Sequence, residues 1–181
     1  MRVISGTARG RKLKPLPGLD TRPTTDKVKE SMFSILQFDL EGRRVLDLFA
    51  GTGQLGIEAL SRGAAHADFV DKNPQSVKII RENLKAAGVG ERAEVFAADA
   101  QQFLNPAMKG KYGIVLLDPP YGGEVLNFFL QKITLFDIVH TGGIILCECA
   151  AADEIIPPAA PYELMRTYRY GAIRLMTIRR M

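Results

Sequence analysis

Asp118, Pro119, Pro120 and Tyr121 stand together in an order that suits one chemical task, the gripping of a planar amino group. The Asp118 carboxylate and the Pro119 carbonyl are both acceptors, and together they can take both hydrogens of an exocyclic NH2. The Tyr121 ring can stack on the heterocycle that carries the amino group. The apolar run Ile114-Val115-Leu116-Leu117 just ahead reads as a buried strand of a parallel sheet. Two prolines cannot extend that strand, because each lacks an N–H and fixes φ. The turn therefore delivers a carboxylate and a ring at a strand's C-terminal end, the edge where open α/β sheets bind ligands. Asp-Pro also occurs in plain turns, so the other segments must decide between the two.

A second group of residues does so. Asp47-Leu48-Phe49-Ala50-Gly51-Thr52-Gly53-Gln54-Leu55-Gly56 places G-x-G-x-x-G between a strand and a helix. That pattern alone fits NAD equally well. Two further acids refine it. Asp71 ends the next strand, 15 residues after Gly56, and a carboxylate there can accept both hydroxyls of a ribose. Asp99 ends the third strand and can accept from an adenine amino group. Asp47 can hold an ammonium group, which NAD does not carry. S-adenosylmethionine carries an ammonium, a ribose and an adenine, so it matches the acids better.

Alternating strands and helices must position these residues. Strands are expected at Arg44 to Phe49, Ala67 to Val70, Ala93 to Ala97, the run into Asp118, and Ile144 to Cys149. Tyr162 to Tyr168 and Ile173 to Ile178 read as a final hairpin turning near Gly171. Helices are expected after Thr24 or Thr25, from Leu55 to Ser61, from Pro74 behind an Asn73 cap to Gly88, around Phe103 and Leu104, and through Val125 to Ile133. Repeated βα units imply an α/β fold: a mostly parallel seven-stranded sheet, helices on both faces, and a C-terminal antiparallel hairpin.

Composition sets bounds. The chain has 181 residues, 46% hydrophobic and 24% charged, enough for one domain with a sizeable core. No stretch has the length of a transmembrane helix and the N-terminus lacks an apolar h-region, so a cytoplasmic location is expected. Cys147 and Cys149 should face the same side of a strand as small hydrophobes. With only His66 and His140 as further soft ligands, no metal is expected. The net charge of +4 is uneven. Residues 1–30 hold eight Lys or Arg against three acids, and the rest of the chain holds sixteen against seventeen. Residues 1–23 read as a basic arm or small hairpin outside the core, with residues 24–181 forming the main domain. Such an arm suits a polyanion.

These motifs resemble the class I S-adenosylmethionine-dependent methyltransferases, in which [DN]-P-P-[YF] marks methylation of an amino group. The resemblance narrows over Val3 to Leu13, Arg22-Pro23-Thr24-Thr25-Asp26, Glu30-Ser31-Met32-Phe33 and Leu55 to Ala64. There the chain is similar to the RsmD family, which methylates a guanine N2 in bacterial small-subunit (16S) ribosomal RNA. It departs from that family at Ser5, where Gly is expected, at Ala8, where an aromatic is expected, and at Tyr121, which is often Phe. Ala8 thereby removes a possible stacking ring.

The resemblance implies a Rossmann-like domain with Asp118, Pro119 and Tyr121 catalytic and no metal. It implies cofactor contacts at Asp47, Ala50, Gly51, Gly53, Asp71, Lys72, Asp99 and Ala100. Arg9, Arg11, Lys12, Arg22 and Thr24 would contact ribosomal RNA, free or in an assembling small subunit, with Arg22-Pro23-Thr24 beside the Asp118 pocket. A guanine N2 lone pair is delocalised into the ring, and two fixed acceptors favour the pyramidal geometry that frees it. The base must be unpaired or flipped to reach them. A DNA adenine-N6 methyltransferase uses the same turn but needs a target-recognition region, for which too little chain lies outside the core. Protein glutamine methylation leaves the basic arm unexplained. A non-catalytic RNA-binding assembly factor leaves the intact Asp118 and Tyr121 unexplained.

Overall fold

A computed structural model describes residues 1–17, 26–120 and 122–181. Its centre is one seven-stranded sheet of order β3-β2-β1-β4-β5-β7-β6. The strands are β1 (Arg44–Asp47), β2 (His66–Asp71), β3 (Ala93–Ala97), β4 (Tyr112–Leu117), β5 (Val139–Ala150), β6 (Tyr162–Tyr170) and β7 (Ile173–Arg180). The first five are parallel, and β7 joins β5 antiparallel, with β6 outside it. The helices are α1 (Asp26–Ile35), α2 (Gln54–Ser61), α3 (Pro74–Ala87), α4 (Ala100–Phe103) and α5 (Gly123–Leu135).

The two faces of the sheet bury separate cores. Val45, Ile114, Leu116, Ile144, Leu146 and Leu175 face α1, α2 and α3. Leu46, Val115, Leu117, Ile145, Cys147 and Met176 face α4 and α5. The period-2 alternation of each strand divides its side chains between the two. Cys147 and Cys149 both lie on the α5 face, as expected of positions two apart.

Local chemistry sets the element ends. The Asn73 side chain accepts from the Gln75 N–H at 2.9 Å, Pro74 opens α3, and Gly88 closes it with φ 69°. Strand β1 stops at Asp47, two residues short of the expected Phe49, because the chain there already turns into the glycine loop. Strand β5 begins earlier than expected, at Val139, where the His140 to Gly143 stretch extends a strand that its polar residues had obscured.

The N-terminal segment differs from expectation. Its described residues do form a small hairpin, with Arg2 bridged to Lys12 and Val3 N–H donating to the Arg11 carbonyl at 2.9 Å. Yet Val3, Ala8 and Leu13 are buried members of the core on the α2 side, and Leu16 is buried as well. The described part of the arm, residues 1–17, is thus built into that core and does not stand outside it. Val3, Ala8 and Leu13 share that core, and the backbone around them finds buried partners. Fully buried Glu58 of α2 accepts from the N–H groups of Ile4 at 2.8 Å and Ser5 at 2.9 Å. Ser61 Oγ accepts from Ala8 N–H at 2.9 Å and donates to the Ser5 carbonyl at 2.5 Å. A side chain at Gly6 would overlap the Ser61 carbonyl, so only glycine lets the arm approach this closely. The buried position of Ala8 also corrects the expected stacking role: a larger ring there would point into the core.

Candidate active site

The acids sit at the C-terminal ends of neighbouring strands, and each is held by backbone N–H groups. Asp47 ends β1, is 2% exposed, and accepts from the Gly56 N–H of α2 at 2.9 Å. Asp71 ends β2 and accepts from Gly51 N–H and Asn73 N–H, both at 2.8 Å. Asp99 follows β3 and accepts from Gln101 N–H at 2.8 Å, capping the turn that carries Ala100. These bonds use one lone pair of each bonded oxygen and leave others for a ligand.

The glycine loop is shaped by conformation and by contact. Gly51 and Gly53 have φ 53° and 77°, left-handed values that favour glycine. A side chain at Gly51 would meet no atom within 4 Å, so the loop there is open to a ligand. A side chain at Gly56 would instead strike the Phe69 ring of β2, so that glycine permits close helix–strand packing. Ala50 is buried, with its N–H on the Val70 carbonyl at 3.0 Å. Lys72 is exposed, its ammonium 4.0 Å from Asp99.

The carboxyls are close enough to feel one another. Burial pushes Asp47 up to about 7, the Gly56 N–H opposes this, and the charges of Asp118 and Asp71 raise it further. Asp118 and Pro119 follow β4 directly and are half-buried. Strand β4 lies between β1 and β5, so this turn stands next to the Asp47 strand. Tyr121, Arg22 and Thr24 lie outside the described residues. Arg9, Arg11 and Lys12 are exposed on the hairpin.

Several residues in or near the site escaped the sequence reading. Asn83, buried on α3, donates to the Thr52 carbonyl of the glycine loop at 2.9 Å and to the Lys14 carbonyl at 3.1 Å. It also accepts from Lys14 N–H at 2.7 Å, so one amide ties the arm to the glycine loop. Lys29 of α1 is buried beside Glu58 at 3.7 Å and donates to the Arg2 carbonyl at 2.6 Å. Burial lowers the Lys29 pKa, and the Glu58 carboxylate opposes that. A buried amide and a buried ion pair are visible in sequence only as polar letters on helices.

A sheet of this order, with a glycine loop after β1 and acids at successive strand ends, defines the Rossmann-like class I methyltransferase fold. These acceptors and the open glycine loop suit S-adenosylmethionine, whose ammonium, ribose hydroxyls and adenine amino group are all donors. The chain belongs to the RsmD family: the model described as "Conserved hypothetical protein 95" matches residues 1–179. It is 41% identical over 173 residues to "Putative rRNA methyltransferase YlbH" of Bacillus subtilis, covering 94% of each chain. It is 35% identical over 158 residues to "Ribosomal RNA small subunit methyltransferase D" of Buchnera aphidicola, covering 86% of this chain and 81% of that one. Among solved structures, "Putative methyltransferase yhhF from Escherichia coli" superposes with a TM-score of 0.88 at 30% identity, over 99% of this chain and 97% of that one.

Proposed function

We propose that the protein transfers a methyl group from S-adenosylmethionine to the exocyclic N2 of a guanine in bacterial small-subunit ribosomal RNA. The observation that carries this is the Asp118-Pro119 turn at the end of β4, beside the strand that ends in Asp47. An amino-group clamp thus adjoins the carboxylate suited to the cofactor's ammonium. Relatives named as small-subunit rRNA methyltransferases support the substrate class.

When bound, the cofactor supplies a methyl group already activated on a sulfonium. Asp47 would hold its ammonium, Asp71 its ribose hydroxyls and Asp99 its adenine amino group, with Ala50, Gly51, Gly53, Lys72 and Ala100 around them. Asp118 and the Pro119 carbonyl would accept the two N2 hydrogens of guanine and favour a pyramidal nitrogen. Tyr121 would stack on the base. Positive charge grows on N2 during attack, and the Asp118 carboxylate stabilises it. The proton leaves N2 afterwards, to Asp118 or to water.

Arg9, Arg11 and Lys12, with Arg22 and Thr24, would contact RNA phosphates, and the assembling subunit would meet the enzyme in the cytoplasm. Among the described residues no helix is long and apolar enough to cross a membrane. Because the hairpin belongs to the core, its role is tested by neutralising charges and not by deleting it. Replacing Arg9, Arg11 and Lys12 by Ala should lower the salt slope of RNA binding by about 0.7–0.9 for each phosphate no longer neutralised. An unchanged slope would remove these residues from the interface.

The decisive experiment is mass spectrometry of rRNA nucleosides from cells with and without the protein. N2-methylguanosine should disappear from small-subunit rRNA when the protein is absent. Loss of N6-methyladenosine, or no change, would refute the assignment.

A further inference from the structure

Each of the five parallel strands delivers an acid at or just beyond its C-terminal end. In spatial order they are Asp99 after β3, Asp71 of β2, Asp47 of β1, Asp118 after β4 and Glu148 of β5. The first four have roles in the proposed chemistry. The fifth, Glu148, has none so far.

Its position is well defined. Leu117 pairs with Cys147 in the β4–β5 register. Asp118 and Glu148 are the residues that follow this last pair, Asp118 just past the end of β4 and Glu148 still within β5. Glu148 pairs with Leu175, and it shares its strand face with Leu146, so its side chain leaves the sheet on the α1 face. That is also the face of Val45 and Leu116, and so of Asp47, which alternates with Val45 and pairs with Leu116. The charge of Asp118 is felt at Asp47. Glu148 is half-buried in an otherwise apolar stretch, Ile144 to Cys147. Carboxylates are rarely put in such places without a polar partner. Asp118 and Glu148 both have partners within the protein, so a base would add to or displace those contacts.

The order of the strands sets what lies where. The cofactor's adenine, ribose and amino-acid portions fall to β3, β2 and β1, and the reacting amino group to β4. The next position along the edge, β5, faces the rest of the target base. On guanine the neighbour of N2 is N1–H, a second donor on the same edge. On adenine the ring nitrogen N1 is an acceptor.

We propose that Glu148 reads the target base, accepting a hydrogen bond from guanine N1–H while Asp118 and Pro119 hold N2. The inference rests on the N2-guanine reading and extends it to base choice. Two adjacent carboxylates facing two adjacent donors make guanine a good fit. Adenine would set its N1 lone pair against the Glu148 carboxylate, a repulsion where guanine makes a hydrogen bond, and that is a basis for rejection. Glu148 is therefore a specificity-determining residue, distinct from the cofactor-holding acids.

The test compares small-subunit rRNA carrying guanine or 2-aminopurine at the methylated position. 2-Aminopurine keeps the N2 amino group and lacks N1–H. Its missing O6 is an acceptor, which a carboxylate cannot read. The wild-type enzyme should favour guanine by about a hundredfold or more in kcat/KM. Glu148→Ala should lower kcat/KM on guanine by about tenfold to a hundredfold and barely change that on 2-aminopurine, so the preference collapses. Glu148→Gln, which keeps the side chain's shape, should narrow the preference as well, because its amide can donate to the bare N1. It carries the test if the Ala variant does not fold. S-adenosylmethionine affinity should be unchanged in both. If either folded variant keeps the wild-type preference, whatever its rate, the proposal is overturned and Glu148 is structural. A wild-type product other than N2-methylguanosine overturns the N2 reading and this one together. N2-methylguanosine with an unaltered preference overturns this one alone.

Discussion

The two ends of the same sheet treat their carboxylates in opposite ways. At the N-terminal ends of the strands, fully buried Asp68 is met by the Arg44 guanidinium at 2.6 Å, the Tyr112 hydroxyl at 2.7 Å and the Lys111 ammonium at 3.3 Å. Asp137 is met there by Arg180 at 2.5 Å and Tyr162 at 3.0 Å, and Asp39 by Arg179 at 3.4 Å. At the C-terminal ends, Asp47, Asp71 and Asp99 are met by backbone N–H groups, and the exposed Lys72 stands 4.0 Å from Asp99. Cations neutralise the first edge, and fixed dipoles orient the second while leaving its charge in place.

The difference shows in protonation. Burial alone would raise Asp68, but hydrogen bonds from Arg44 and Tyr112 and the charges of Arg44 and Lys111 hold it below the usual carboxylate range. Burial pushes Asp47 the other way, up to about 7, and neighbouring acids add to the push. A row of like charges is unfavourable for the ligand-free fold and useful to a ligand that brings an ammonium and several donors. Functional sites commonly sacrifice stability in this way.

The comparison breaks most easily at Asp68. Asp68→Ala leaves a buried tyrosine hydroxyl and a guanidinium without their partner and should cost about 3–5 kcal/mol in urea unfolding. Cofactor affinity of the folded fraction should stay the same. A loss of affinity without loss of stability would mean that the two edges are not separate in function. Asp118→Ala is the converse. It should reduce kcat about a hundredfold, about 2.7 kcal/mol, with cofactor affinity nearly kept. Near-normal turnover in a single-turnover assay would remove the turn from the chemistry.

Asp71→Ala should weaken S-adenosylmethionine binding by about 1–3 kcal/mol through donors left unpaired. Titration calorimetry that finds unchanged affinity would leave the ribose assignment without support. The last effect is a pH slope. Asp47 has a folded pKa near 7 against an ordinary 3.8, so its contribution to ligand-free stability is fully present below about pH 3.8 and lost as pH rises through about 7. Asp68 has a lowered folded pKa, so its contribution is present above 3.8 and lost as pH falls through the lowered value. Asp47→Asn should flatten the decline in stability between those two limits. An ammonium placed on Asp47 should also expel its proton near pH 6, about one unit below its folded pKa. Calorimetry in buffers of different ionisation enthalpy would detect that proton, and its absence would separate Asp47 from the ammonium.

Much of this was legible in the chain itself. Apolar runs ending in Asp, the glycine spacing after Asp47 and the Asn73-Pro74 start signal depend on local sterics and hydrogen bonding, which act over a few residues. They were enough for the βα order, the parallel sheet with its terminal hairpin, and four of the five acids along its edge. The long-range partners were not legible. Glu58 and Asn83 hold residues 54 and 69 positions away, and no local pattern distinguishes them from solvent-facing polar letters on a helix. The arm's charges and its glycines and prolines suggested a basic arm or small hairpin outside the core. Its burial was decided by a few apolar side chains and by backbone groups that find partners on α1, α2 and α3. Glu148 likewise gained its meaning from strand order: it lies thirty positions from Asp118 in the chain and one strand away in space. Local chemistry determines which element a residue joins, but tertiary packing alone decides which residues share a site, because neighbours in a sheet are set by topology and register.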